Sequence, residues 1–379
     1  MADNGSLAAL RQEITERGFY EKHPTKVVLE MLLKLFMAAG GMYVFITSGN
    51  PWVRICAIII STAGSIGVGT STHTSSHNAT SDKKWINDAL TYFGYPFFLG
   101  FSATYWWNQH IAIHHPSPNV VGVDFDADLS PWFAVTEDDM NRSSGLRRLY
   151  YEKFQWLAFP ISLFLYGFQT QRLGLFYVFK VLADPKRRKR AHFIDLGVLI
   201  LHFSLTMILP LFYFGWKPVI GIYIIRIGLM GYATFFILGP GHLPAEAVYI
   251  SKEMKNADHL LSQTATTVNF RTGFIGRLIC SGLEYQIEHH LFPNLCHFYY
   301  PQVSVVVERF CREQGLPYRS YSWDVALWKC WMIFRKPQII ESTFARLQPT
   351  KTEPHAVAQP VPDALPRIPI NASPLAATD

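Results

Sequence analysis

A chain of 379 residues that is 49% apolar and only 16% charged carries far less charge than the roughly 25% of an average soluble protein, which points to a membrane. Much of its net charge of +6 sits in Lys186-Arg187-Arg188-Lys189-Arg190, between hydrophobic blocks. That run is read as a positive-inside flank, with contact to anionic lipid, coenzyme A phosphates or an acidic carrier as the sharper alternative, and no nucleic-acid partner is expected. Five cysteines without paired spacing argue against a disulfide framework and a thiolate metal site. The start, Met1-Ala-Asp-Asn-Gly, has no signal-peptide pattern, so no removable leader is expected.

Residues 1–25 are a polar lead-in. The first apolar run covers about 27–47 and the second about 52–69, joined by the tight turn Ser48-Gly-Asn-Pro51. Each approaches the ~20 residues a helix needs to cross the hydrocarbon. Residues 89–107 are apolar but carry Gly94, Pro96 and Gly100. A span there would separate His110 from His73 across the bilayer, so 89–107 is read as interfacial or re-entrant. The same reading is given to 154–180, where Pro160 and Gln169-Thr-Gln-Arg172 break the run. Two further spans, about 194–214 and 219–238, form a second hairpin around Gly215-Trp-Lys-Pro218.

The expected architecture is an all-α membrane protein. Four transmembrane helices stand in two hairpins beneath a cytosolic helical cap, with both termini and every histidine cluster cytoplasmic. The catalytic domain is placed at residues 1–346, with cap helices over 251–346 that include the amphipathic stretch 303–313. Residues 347–379, rich in proline, are expected to be disordered.

The chemistry lies in the histidines. Of fourteen, seven fall into three clusters: His73-Thr-Ser-Ser-His77, His110-Ile-Ala-Ile-His114-His115 and Gln286-Ile-Glu-His289-His290; His242 stands alone after the fourth apolar run. Imidazole is the commonest protein metal ligand. Residues four apart share a helix face, so His73/His77 and His110/His114 each aim at one place, with His115 free to reach a second ion. Eight histidines exceed the needs of one ion, so two are expected. There is no zinc-protease HExxH and no usefully placed Glu-x-x-His pair of the soluble di-iron bundles.

These boxes resemble those of the membrane fatty acid desaturase and hydroxylase family, over roughly residues 25–320. The C-terminal motifs are Gln263-Thr-Ala-Thr-Thr-Val-Asn269, Gly282-Leu-Glu-Tyr-Gln286-Ile-Glu-His289-His290-Leu-Phe-Pro293 and Gly315-Leu-Pro-Tyr318. They are similar to those of front-end (delta-5/delta-6 type) acyl desaturases, where glutamine replaces the first histidine of the third box. The second box matches in context: Trp106-Trp107, Pro118-Asn119 and Asp124-Phe-Asp126. Departures are a first box without an acidic residue after His73, and three residues rather than two between His110 and the following pair. No His-Pro-Gly-Gly motif of a fused cytochrome b5 is present.

The resemblance implies two iron ions held by His73, His77, His110, His114, His115, His242, His289 and His290. Gln286 stands in a ninth position, and Asp124 and Asn269 lead the candidates that orient the ligands. Asn119, Asp126, Asp128, Glu284 and Glu288 are further candidates. It also implies a fatty acyl substrate linked to lipid, coenzyme A or a carrier protein, O2 as co-substrate, and electrons from a separate ferredoxin or cytochrome b5 with its reductase. Two hydrogens would leave adjacent methylenes, giving a double bond and water. Hydroxylase or acetylenase chemistry on the same scaffold is the alternative, and a zinc-dependent lipid hydrolase or receptor a more distant one. Tyr105, Trp106 and Trp107 are read as tunnel lining, with an interfacial aromatic belt as the equal alternative.

Within the third and fourth spans, His202 and Arg226 fall at similar depth, and Arg226 is expected to donate to His202 or to a carbonyl. His23, His192, His259, His297 and His355 are expected not to be ligands.

Overall fold

The computed structural model describes residues 4–254 and 258–342; the expected tail at 347–379, with His355, lies outside them. Helix α1 (Asn4–Glu16) leads to α2 (Pro24–Thr47) and α3 (Pro51–Ser76). Proline occupies the first position of both α2 and α3, where its missing N–H costs nothing. Asn50 caps α3 by accepting from the Trp52 and Val53 amides. The two helices pack backbone against backbone. A Cβ on Gly64 would stand 2.4 Å from the Ala38 nitrogen, the small-residue packing used where lipid removes the hydrophobic drive between helices.

Helix α4 (Lys84–Tyr92) continues as a π-helical turn over Phe93–Leu99 and stops at Gly100, which takes the left-handed conformation (φ 72°). The chain restarts as α5 (Ala103–Trp106), again continued in π geometry over Trp107–His114. Residues 89–107 thus form a broken helix. Its exposed final carbonyls are taken by side chains from three other helices. His202 Nδ1 donates to Phe97 O (2.7 Å), Arg226 to Phe98 O (2.5 Å) and Gln171 to Leu99 O (3.3 Å). Arg226 therefore does donate to a carbonyl, but not to His202. Both residues pin the broken helix rather than each other.

Short helices α6 (Glu137–Asn141) and α7 (Gly145–Lys153) lead into α8 (Gln155–Leu182). This corrects the reading of 154–180 as broken: α8 is uninterrupted for 28 residues. Pro160 lies in its second turn, where it removes a single i→i−4 bond. The polar Gln171 is absorbed by long-range partners, Leu99 O and the Tyr223 hydroxyl.

The second hairpin comprises α9 (Arg190–Phe203), a π turn, α10 (Leu209–Phe214) and α11 (Trp216–His242). Among the described residues, four helical stretches, Pro24–Thr47, Pro51–Ser76, Arg190–Phe214 and Trp216–His242, are long and apolar enough to cross a membrane. They expose Phe36, Trp52, Ile59, Phe212 and many more large apolar side chains, a surface suited to lipid, so the chain is a multi-pass membrane protein. The second and fourth spans run further than expected, through His73 and His242 themselves.

After α11 come α12 (His259–Ala265), α13 (Phe274–Cys280), α14 (Gln286–Leu291), α15 (Tyr300–Gln314) and α16 (Trp323–Met332). Among the described residues, two short parallel strand pairs that the sequence did not lead one to expect stitch this region together. They are β1 (Tyr249–Ile250) with β4 (Ile340–Glu341), and β2 (Asn269–Arg271) with β3 (Ser320–Ser322). The cap's core joins Leu10 and Ile14 of α1, Ile287 and Leu291 of α14, and Val303 and Val307 of α15. Every residue of α14, the third histidine box, is buried.

Candidate metal centre

Each box is placed by a different local device. In the first, α3 continues through a hydroxyl-rich stretch because its hydroxyls bond back to its own carbonyls, Thr72 to Val68 O and Ser76 to His73 O. His73 and His77 then face the same way, ring centroids 4.8 Å apart. In the second, the π turn puts residues five apart in register: the His115 amide donates to His110 O. In the third, Asn269 Oδ1 accepts from the Ile287 amide (2.9 Å), capping α14 from another segment.

All eight histidines come together, in two groups. The ligand atoms of His73, His77, His110, His115 and His289 lie within 4.8 Å of one another, as do those of His114, His242 and His290. His73 Nε2 is 2.9 Å from His110 Nε2, which is 3.1 Å from His115 Nε2. One assignment from spacing is corrected: His115 joins His110, and His114 goes to the other group. On an α-helical face 110 and 114 pair; with the π turn, 110 and 115 do. Adjacent His289 and His290 divide between the groups.

The donor set suits cations. His77 Nε2, His115 Nδ1, His289 Nε2 and His290 Nε2 are buried without a hydrogen-bond partner among the described residues, an arrangement that costs free energy unless an unseen ligand satisfies it. Meanwhile the second nitrogen of three rings is held: His114 Nδ1 by Asp124 (2.8 Å), His289 Nδ1 by the Tyr300 hydroxyl (3.1 Å) and His290 Nδ1 by Gln263 Oε1 (3.0 Å). Asp124 and the Gln263 oxygen only accept, so His114 and His290 carry their protons on Nδ1 and turn the Nε2 lone pair inward. Gln263 also donates to His115 O.

Gln263 and Tyr300 were not among the site residues expected from sequence. Gln263 stood at the head of a matched motif, which was its only signal; Tyr300 had none. Gln286 Oε1 lies 3.2 Å from His242 Nε2, at the edge of the three-histidine group. Asn269 lies one layer out, donating to Glu288 Oε2 (2.8 Å). Glu288 in turn accepts from the Tyr318 hydroxyl. Asn119 ties the second box to the end of α11 through His242 O and Ala247 O. Asp126 approaches His110 Nδ1 at 3.9 Å. Asp128 caps its own loop at the Gly122 and Ser130 amides, and Glu284 is buried beside β2, outside both groups.

Trp106 stacks on His110 (4.2 Å between centroids) and walls the site, Trp107 meets Tyr92 edge-on and Tyr105 meets Tyr177. His297 belongs to neither group: it bonds Glu30 (2.9 Å) and Thr74 (3.1 Å).

Burial sets the electrostatics. It drives His77 down to about 3, with His114 adding to the effect. It also holds His110, His115, His289 and His290 well below the usual imidazole range, helped by neighbouring rings. His114 goes the other way: burial lowers it, but the charge and hydrogen bond of Asp124 outweigh burial. Neutral imidazoles are the form that binds metal.

Folded values lie below the unfolded ~6.5, so the unfolded chain binds more protons in acid, and stability present above that pH is lost as pH falls. Metal-free protein is expected to lose melting temperature steeply from about pH 7 to 5, each of these five rings contributing up to ~1.4 kcal/mol per pH unit. A flat thermal-shift profile across that range would refute the neutral-cluster picture.

The fatty acid desaturase family profile matches residues 49–322. The delta(5) fatty acid desaturase fat-4 of Caenorhabditis elegans is 25% identical over 86% of this chain and 72% of its own length. The delta(8)-fatty-acid desaturase of Euglena gracilis is 29% identical over 64% of this chain and 58% of its own length. The sn-1 linoleoyl-lipid 6-desaturase of Synechocystis sp. is 26% identical over 81% and 86%. With four membrane-length helices and the buried histidine groups, the match settles the assignment: the chain belongs to the fatty acid desaturase family, whose members are oxidoreductases.

Proposed function

We propose that the chain is an O2-dependent fatty acyl desaturase with a di-iron centre, its catalytic domain spanning residues 1–346. His73, His77, His110, His115 and His289 would hold one iron. His114, His242 and His290, with Gln286 beside His242, would hold the other. The observation that carries this reading is the convergence of two buried imidazole groups, in which His77 Nε2, His289 Nε2 and His290 Nε2 find no partner among the described residues. Iron held there would supply the O2-dependent oxidation in which two hydrogens of adjacent methylenes, with two electrons and two protons from the donor, reduce O2 to two waters and leave a carbon–carbon double bond. The chain's own residues do the rest: Asp124, Gln263 and Tyr300 fix ring orientation, and Trp106 closes a water-excluding wall against which an acyl chain can lie.

Relatives named for delta-5, delta-6 and delta-8 desaturation support a front-end outcome, with the new bond on the carboxyl side of an existing one. Electrons come from an external ferredoxin or cytochrome b5 with its reductase. The basic run Lys186–Arg190 supports a cytoplasmic placement of the histidine-bearing ends and both termini.

The test is expression in a host with its own reductase system, with fatty-acid products analysed by mass spectrometry for wild type and His289→Ala. The expected result is a product lighter by two hydrogens, with its double bond at position 5, 6 or 8, absent from the variant. A product heavier by one oxygen would move the reading to a hydroxylase. Folded protein that binds zinc and no iron would move it out of redox chemistry.

A further inference from the structure

Asp195 lies inside the third span, fully buried, and its carboxyl group receives four donors. Oδ1 accepts from the Ala103 amide (3.1 Å). Oδ2 accepts from the Thr104 amide (2.8 Å), the Ser102 hydroxyl (2.7 Å) and the Thr104 hydroxyl (2.5 Å). These donors are the free N–H groups and flanking hydroxyls at the start of the second half of the broken helix, which carries the second histidine box. A carboxyl group at that end also meets the positive pole of the helix. The preceding half ends on the opposite arrangement, with the Arg226 guanidinium on Phe98 O.

A helix end freed inside a bilayer must find partners within the protein. Here they come from a different membrane span, so the start of α5 is fixed to α9 and not merely to its own loop. From Thr104 to His110 is about 9 Å along a helix at 1.5 Å per residue. Between them, Trp106 stacks on His110 and donates to Ser76 of the first box (3.1 Å). Displacement or rotation at residues 102–104 is therefore transmitted to His110, His114 and His115.

We propose that Asp195 is a positioning residue for the second histidine box: it sets the start, and hence the rotation, of the helix that presents these three imidazoles. The inference rests on the reading of the histidine groups as metal sites. Asparagine at 195 keeps the shape but turns an N–H2 group toward donors, losing at least one bond and the charge. The loss to metal binding is expected to match that of an outer hydrogen-bond partner, roughly 10–100-fold.

The experiment reconstitutes full-length metal-free protein with cobalt(II) and reads metal stoichiometry, affinity and the visible ligand-field spectrum. Wild type, Asp195→Asn and Phe334→Leu are compared. Phe334 packs against Phe133 and Phe159, beyond the end of α16 and on no helix that carries a histidine of either group, so this variant supplies thermal destabilisation away from the metal ligands. The expected result is weaker cobalt binding and an altered spectrum for Asp195→Asn, and an unchanged spectrum for Phe334→Leu.

An Asp195→Asn spectrum and affinity equal to wild type would overturn the proposal, as would an equal change in Phe334→Leu. If Asp195→Asn does not fold, Thr104→Val, which removes one donor and keeps the charge, must shift the spectrum in a smaller degree; no shift overturns the proposal. Wild-type protein that takes up no cobalt would overturn the metal-site reading itself, and this inference with it.

Discussion

Alanine in place of His242 is expected to abolish product formation and to remove about half of the bound metal, whereas alanine in place of His77 should leave more metal behind. The asymmetry follows from the grouping. His242 shares its site with only His114 and His290, while His77 shares its site with four other imidazoles. Loss of one nitrogen from three leaves two imidazoles and the weakly donating amide of Gln286, 3.2 Å from where His242 Nε2 stood. That is too few to hold a divalent ion against water. On the proposed reading the penalty must exceed the roughly 10–100-fold typical of an outer hydrogen-bond partner, because a ligand itself would be gone.

Chemistry that requires both metals then stops even though the first site is filled. Metal analysis of purified His242→Ala and His77→Ala, alongside fatty-acid product analysis, checks this. Full metal content and turnover in His242→Ala would show that the lone histidine is not part of the centre.

The grouping also marks where the sequence was legible. Clustered histidines beside apolar runs told that these side chains converge, since convergence follows from helix geometry and from the cost of ionisable groups at a bilayer. The division of labour between His114 and His115 did not follow. It depends on a π turn over Trp107–His114, and π turns are stabilised by what packs around them, not by a local pattern.

The span ends show the same limit. The second span looked finished at Gly69, where serines and threonines begin, yet α3 runs to Ser76. Its hydroxyls return to its own carbonyls, and Thr70 donates to Ile279 O, 209 residues away. In α8, Pro160 and the Gln169-Thr-Gln-Arg172 stretch had the composition of a break. Gln171 is harmless because Leu99 O and Tyr223 complete its hydrogen bonds. Polar residues in apolar segments are breakers only when their partners are missing, and partners tens of residues away leave no mark in the local sequence.

Gly231→Ala, one methyl group added at the crossing of α8 and α11, is expected to be among the most damaging single changes outside the histidines. A Cβ on Gly231 would stand 1.9 Å from Leu163 O and 3.2 Å from the Gly167 nitrogen. Across the same crossing, a Cβ on Gly167 would stand 2.4 Å from Ile227 O. The obstructing atoms are backbone, so no rotamer change relieves the overlap, and the helices must move apart. Overpacking of a tight core costs typically ~1–3 kcal/mol, and a backbone obstacle places this site at or above the top of that range.

The functional cost follows from what the two helices carry. The last residue of α11 is His242. Helix α8 supplies Gln171 to the broken helix and lies against Ser102, where a Cβ on Gly174 would come within 2.9 Å of the serine Cβ. Separation of the pair therefore disturbs His242 directly and the second box through its anchor. Gly221→Ala is the control: it lies on the same helix with open space around it, and alanine there should gain up to ~1 kcal/mol from helix propensity alone. Thermal unfolding in detergent and metal content distinguish the two. Gly231→Ala should melt earlier and lose metal from the His114–His242–His290 group first, while Gly221→Ala should match or exceed wild type. A Gly231→Ala protein as stable and as fully loaded as wild type would mean that the helices do not cross this closely in the membrane, and that His242 is held in place by something other than the α8–α11 pair.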